Sequence, residues 1–392
     1  MKLMNKKLNN SKLLKIELIF FKKKNFSNQI VLPLPSFIKN GFHIIRIKTS
    51  KDLYGLGEPS PYILNKKEFN SYFKLLSNLL LKKDLILCLN YIQELHLKKK
   101  ISHDNASILS GFEQAIYDAL SKEKKLPTYK ILNPKTKKGL KKIKLYASGG
   151  MLYENQSFEL LNKELNFIKK NKFKLFKFRP QIPYEASHYA RTLNPPKVNI
   201  NKLIKLCEFY RSYLGDEIEY ALDLGCRLSD KKTINFFFDF CKDFKFKFIE
   251  EPFHGNKTYS KYKNNFALGE KWKTPHEYLL YKKNNFYKYF QPDSNLFGVK
   301  NIINISKKNK SRILFHNWTK DISFKSNLHL FIALGLSNYI EYNVTYNNRI
   351  GFIVKDYKID NGLLFVDDNI GYNVNIENKN LKNNFKIISN FK

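Results

Sequence analysis

Carboxylates are scarce in this sequence, with 34 Asp+Glu against 70 Lys+Arg and a formal net charge of +36. Such a balance would suit a polyanion partner if the basic residues formed one stripe. They are instead spread along the whole chain. Abundant Lys, Asn, Ile, Phe and Tyr beside only 16 Gly and 13 Pro is the pattern of A/T-rich codons. A solvated basic surface is therefore expected, and nucleic acid is not the expected partner. Cysteine is rarer still. Cys88, Cys207, Cys226 and Cys241 form no CxxC, and no Cys/His cluster has zinc spacing. That excludes a zinc module and fits free thiols in a reducing compartment. The apolar run near the N-terminus is broken by Lys15 and Glu17, with no small-residue cleavage site after it. No apolar run reaches the ~18 residues of a membrane span, so a cytoplasmic protein without membrane contact is expected. Neither GxGxxG after a first strand nor GxxxxGK[ST] occurs. The GLG at Gly55–Gly57 lacks the rest of a dinucleotide fingerprint.

What is present is a chain rich enough in core-forming residues, 43% apolar and 15% aromatic, to fold over its whole length. Residues 12–23 and 42–49 read as strands, and 67–83 and 104–123 as helices. In the second helix Ile108, Phe112, Ala115, Ile116 and Ala119 share one face. FSNQIVLPLPSF and YGLGEPSPYI, punctuated by Pro and Gly, read as loops. This predicts an α+β domain over residues 1–135. From residue 143 eight short apolar runs alternate with helix-like segments. One polar residue at each run end gives Ser148, Lys177, Asp223, Glu250, Glu270, Asp293, His316 and Glu341, with gaps of 29, 46, 27, 20, 23, 23 and 25. One βα unit needs about 20–30 residues, so residues 140–350 predict an α/β barrel of TIM type. The long gap holds an insertion, QIPYEASHYARTLNPPKVN. All eight end residues would then ring one mouth.

Three carboxylates, Asp223, Glu250 and Glu270, end consecutive runs. Crowding them in one mouth costs heavily unless a cation neutralises them, and carboxylate oxygens suit Mg2+. Asp293 and His316 end adjacent runs and can form a dyad that fixes the imidazole tautomer. Lys177 and Arg179 alternate with Phe176 and Phe178, which puts both cations on the barrel's inner side. Beside a metal and a second cation, Lys177 is expected to lose proton affinity, as a general base requires. Glu251 alternates away from Glu250 and reads as a supporting partner, with Lys177 or Arg179 as its cation.

The ordered set FKFRP, ALDLG, FIEEP, ALGEKW, QPDSNLFGV, FHNW and SNYIEYN resembles the enolase superfamily, in its mandelate racemase/muconate lactonizing enzyme branch. The resemblance covers nearly the whole chain. SGFEQAIYDALSKEKKLPTYKIL resembles that family's cap-closing helix, and residues 360–373 its returning tail. It implies a modified (β/α)7β barrel, an N-terminal α+β capping domain, and a tail over residues 351–392 that completes the cap. It further implies one Mg2+ on Asp223, Glu250 and Glu270, and abstraction of the proton α to a substrate carboxylate. Lys177 would act on one face and His316, held by Asp293, on the other. Glu341 and Arg179 would lie near the substrate, Arg179 standing where the family more often has a second lysine. Trp318 would wall the pocket, and the loops around Ser27–Ser36 and Tyr54–Tyr62 would form a lid. A small carboxylate substrate and a homo-oligomer are implied. Dehydration of a sugar acid to a 2-keto-3-deoxy acid fits a Lys/His-dyad member. A racemase or epimerase on the same scaffold is the alternative, and a non-catalytic polyanion-binding barrel the distant one.

Overall fold

A computed structural model describes residues 11–22, 41–150, 158–179, 199–225, 228, 231–253, 265–283, 287–307, 312–317, 319–344, 353–354, 357–376 and 384–392. The loop around Ser27–Ser36, most of the insertion and Trp318 lie outside the described residues.

The chain opens with strands β1 (Leu13–Lys22), β2 (Gly41–Thr49) and β3 (Tyr54–Gly57), paired antiparallel in sequence order. Four helices follow: α1 (Lys66–Leu80), α2 (Leu85–His96), α3 (His103–Glu123) and α4 (Thr128–Leu132). The N-terminal strands and the first and third helices lie where the sequence predicts them. β3 falls in a stretch read as a loop, because its glycines hide the strand signal. Their absence of side chains is what the fold needs. A Cβ on Gly57 would sit 1.8 Å from the Gly111 carbonyl, and one on Gly55 2.0 Å from that of Ala115. The strand backbone thus lies directly on α3.

The second sheet carries β4 (Lys141–Gly149), β5 (Leu175–Phe178), β6 (Glu219–Asp223), β7 (Ile249–Glu250), β8 (Phe266–Leu268), β9 (Tyr289–Phe290) and β10 (Ile340–Asn343). β4 to β9 pair parallel in sequence order, and β10 pairs parallel with β4. Residues 313–315 complete the ring, Ile313 bridging Phe290 and Phe315 bridging Ile340. The helices between these staves are α5 (Phe158–Lys170), α6 (Ile200–Leu214), α7 (Lys231–Phe244), α8 (Pro275–Lys283), α9 (Val299–Ser306) and α10 (Ile322–Leu334). The result is the α/β barrel expected. Inside it Tyr146, Leu175, Ala221, Phe248, Ala267 and Leu314 pack as one cluster. Five of the six precede Ser148, Lys177, Asp223, Glu250 and His316 by two residues. Period-2 alternation therefore sets those five side chains directly above a packed apolar layer.

The C-terminal stretch divides. β11 (Ile359–Asp360) and β12 (Leu363–Val366) form a hairpin, and β12 pairs antiparallel with the start of β4. The last strand, β13 (Phe385–Phe391), returns to the first sheet alongside β1, and Tyr372, Val374 and Ile376 pack against that sheet's Ile19, Phe21 and Ile44. Among the described residues no helix is long and apolar enough to cross a membrane.

Candidate active site

The strand ends converge on a buried charged cluster. Lys177, 1% exposed, places Nζ 2.6 Å from Glu250 Oε2 and 2.8 Å from Glu341 Oε1. Arg179 Nε lies 2.5 Å from Asp223 Oδ2. His316 Nδ1 lies 2.8 Å from Asp293 Oδ2, and its Nε2 lies 3.3 Å from Glu270 Oε2. The alternation of Lys177 and Arg179 with phenylalanine thus brings both cations to the carboxylates. The Asp293–His316 dyad forms as the adjacent strand ends allow.

One grouping differs from expectation. Donor atoms of Glu250, Glu270 and His316 lie within 4.8 Å of one another, a set able to hold a metal ion. Asp223 stands outside that set, on Arg179. Buried Lys177 and partly buried Arg179 neutralise the carboxylates pairwise, Lys177 on Glu250 and Glu341 and Arg179 on Asp223. The donors nevertheless fit a hard divalent cation. Glu250 Oε1 is buried without a hydrogen-bond partner, and an unsatisfied buried carboxylate oxygen is costly.

The proton affinities follow the crowding. Burial pushes Lys177 down, but Glu250, Glu341 and Asp223 outweigh it and hold the ammonium above its ordinary value. The expected lowering belongs to a site that also holds a cation beside Lys177; with the protein's own groups alone, the three carboxylates outweigh Arg179. Burial lifts Glu250 above the usual carboxylate range, with Asp223 and Glu341 adding to it against the pull of Lys177. Burial also opposes ionisation of Glu341, yet Lys177 and His316 hold it below that range. His316, despite burial, is raised to about 9 by Asp293, Glu270 and Glu341.

Several residues the sequence reading passed over support this cluster. Gln291, fully buried, donates from Nε2 to Glu250 Oε2 at 2.5 Å. Its signal was its place two residues before Asp293. Tyr146 lies under Lys177, with Nζ 5.6 Å from the ring centroid. Asn317 donates its backbone N–H to Glu341 Oε2 at 2.8 Å. Glu251 takes a positive φ of 40° and accepts from Gly269 N at 3.1 Å, which fixes the turn that carries Glu270. Lys177 has Glu250 and Glu341 as its carboxylate partners.

The loop around Tyr54–Tyr62 is strapped down. Leu56 N donates to Asp118, Glu58 N to Gln114, Ser60 N to Ser107, and Leu64 and Asn65 N to Asp104. All four acceptors lie on α3. That places the segment as a fixed wall of the cap.

A parallel barrel with its charged groups at the C-terminal strand ends has the layout of a barrel enzyme's active site. The model of the enolase C-terminal domain-like family matches residues 161–380, and the chain belongs to that family, within the enolase superfamily. It is similar to the D-gluconate/D-galactonate dehydratase of Picrophilus torridus, 24% identical over 291 residues and 71% of each chain. In structure it resembles an enolase from Sargasso Sea environmental sequencing (TM-score 0.79, 20% identity, 98% of this chain and 99% of that one). It also resembles the 3,6-anhydro-D-galactonate cycloisomerase of Zobellia galactanivorans (TM-score 0.73, 19% identity, 96% and 100%).

Proposed function

We propose that the chain is a Mg2+-dependent dehydratase of a sugar acid, removing the proton α to the carboxylate and expelling the β-hydroxyl. The observation that carries this reading is the meeting of Lys177 and the His316–Asp293 dyad at one set of carboxylates. The likeness to a gluconate/galactonate dehydratase supports the substrate class. Asp223, Glu250 and Glu270 would hold the ion, with Arg179 leaving Asp223 for the substrate's side. Bound there, Mg2+ would supply electrostatic stabilisation for negative charge developing on the substrate carboxylate.

In its neutral amine form Lys177 takes the α-proton, and the C–H electron pair becomes the new C=C bond. His316, oriented through Nδ1 by Asp293, gives the proton at Nε2 to the departing β-hydroxyl, which leaves as water. The resulting enol tautomerises to a 2-keto-3-deoxy acid. Glu341, held by Lys177 and the Asn317 N–H, orients the ammonium. Trp318 is proposed as a pocket wall. The partition into a capping domain over 1–135, a barrel over 140–350 and a tail over 351–392 belongs to the same proposal, supported by the pairing of β13 with β1.

The test is a screen of sugar acids with Mg2+, reading 2-keto-3-deoxy acid, with a chelator control. Product that disappears on chelation is expected. Solvent deuterium entering the α-carbon without keto-acid formation would point to the racemase or epimerase instead, and neither signal on any sugar acid would overturn the reading.

A further inference from the structure

A buried chain of hydrogen bonds runs from the cap to the dyad, and the mechanism above does not use it. It begins at Gln114 on α3, whose Oε1 accepts from Glu58 N at 3.0 Å and whose Nε2 donates to the Ser294 carbonyl at 3.3 Å. Ser294 N in turn donates to Asn327 Oδ1 at 3.3 Å. Asn327 Nδ2 donates twice, to the His316 carbonyl at 3.2 Å and to Asn317 Oδ1 at 2.5 Å. Asn317 then bonds Glu341 through its backbone N–H, at 2.8 Å, and through Nδ2 to the Glu341 carbonyl at 3.3 Å. Gln114, Ser294 and Asn327 are fully buried, and Asn317 is 3% exposed.

Asn327 sits at the junction. Its single side chain ties the residue after Asp293 to the backbone of His316 and to the residue that holds Glu341. Residues 313–315 join the sheet through one bridge on each side, with Leu314 N–H on the Phe290 carbonyl and His316 N–H on the Pro292 carbonyl. An amide with one acceptor and two donors in fixed geometry adds side-chain alignment to those backbone bonds.

We propose that Asn327 is the positioning residue for the dyad: it sets the Asp293–His316 separation and, through Asn317, the placement of Glu341, and it links all three to the cap through Ser294 and Gln114. This rests on the reading of His316 as the acid that protonates the leaving group. Outer partners of reacting or ligating groups act through geometry, and their loss costs about 10–100-fold in activity.

The test uses the full-length protein labelled with 15N-histidine. The His316 ring-nitrogen resonances are assigned by their loss in His316→Asn. Asn327→Ala is expected to shift those resonances while the other histidines stay in place. It is also expected to lower kcat by about 10–100-fold with KM within about twofold. His316 resonances at their wild-type positions, with or without a change in kcat, overturn the proposal, as does a shift with kcat intact. Should Asn327→Ala fail to fold, Gln114→Met removes the links to the Ser294 carbonyl and to Glu58 N while leaving Asn327 in place. A smaller shift of the same resonances is then expected, and none overturns the proposal. If the wild-type protein turns over no sugar acid, the dehydratase reading fails, and the nitrogen spectra alone decide the role of Asn327.

Discussion

Helix α3 and the barrel mouth both bury many polar side chains, and they satisfy them in opposite ways. On α3, Asp104, Ser107, Gln114 and Asp118 recur at steps of three, seven and four residues along one stripe, and each accepts from backbone N–H groups of the segment packed on it. Glu113 accepts from Val299 and Lys300 N at the start of α9. These side chains stand in for missing secondary-structure partners and hold the cap together. In the mouth, charges face charges, with Lys177 on Glu250 and Arg179 on Asp223, and Glu250 keeps an oxygen with no hydrogen-bond partner. Satisfied buried polarity marks a scaffold, whereas unsatisfied buried charge marks chemistry.

The comparison breaks most sharply if substitutions in the two regions have the same phenotype. His316→Asn should lower kcat by about 10²–10⁴-fold while leaving the melting temperature near that of the wild type. Steady-state kinetics and thermal unfolding check both. Asp118→Ala should do the reverse. It strips acceptors from Leu56 N and Tyr372 N and the partner of Lys122, about 3 kcal/mol or more of stability. Catalysis by the protein that remains folded should persist, as denaturant titration and assays below the melting point would show.

Mild acid should act on the cap before the mouth. Burial first, and Lys66 beside His43, hold His43 down to about 4, and burial holds His96 down to about 4 despite its bond to the Ala106 carbonyl. Both are neutral in the fold and take up protons on unfolding below pH 6.5, so stability is full above that and falls as pH drops toward 4. The loss is on the order of 3 kcal/mol per histidine at the bottom of that window. His43→Phe should flatten its share of the pH slope in urea unfolding. Gly57→Ala drives its new methyl onto the Gly111 backbone carbonyl, which must shift to make room. About 1–3 kcal/mol is expected, read as a lower urea midpoint with kcat unchanged.

How far the sequence revealed this molecule follows the same division. The barrel was legible because each stave ends an apolar run with one polar residue at regular spacing, so Asp223, Glu250, Glu270, Asp293, His316 and Glu341 announce themselves. β3 was not, because Gly55 and Gly57 serve contact with α3 and erase the strand pattern. Gln291, Asn317 and Asn327 were also hidden. An amide within an apolar run carries no signal until the fold shows what it bonds. The proton affinity that the protein's own groups give Lys177 was hidden for a related reason. Its sign depends on the balance of three carboxylates against Arg179, which only distances settle.

The most direct measurement is anomalous diffraction from crystals grown with Mn2+ as the Mg2+ surrogate. The expected result is one ion with oxygens of Asp223, Glu250 and Glu270 near 2.1–2.2 Å, close to the Mg2+ distance, and Arg179 drawn away from Asp223. Asp223 still on Arg179, with no ion among these carboxylates at saturating Mn2+, would contradict the assignment of the mouth as a metal-dependent active site.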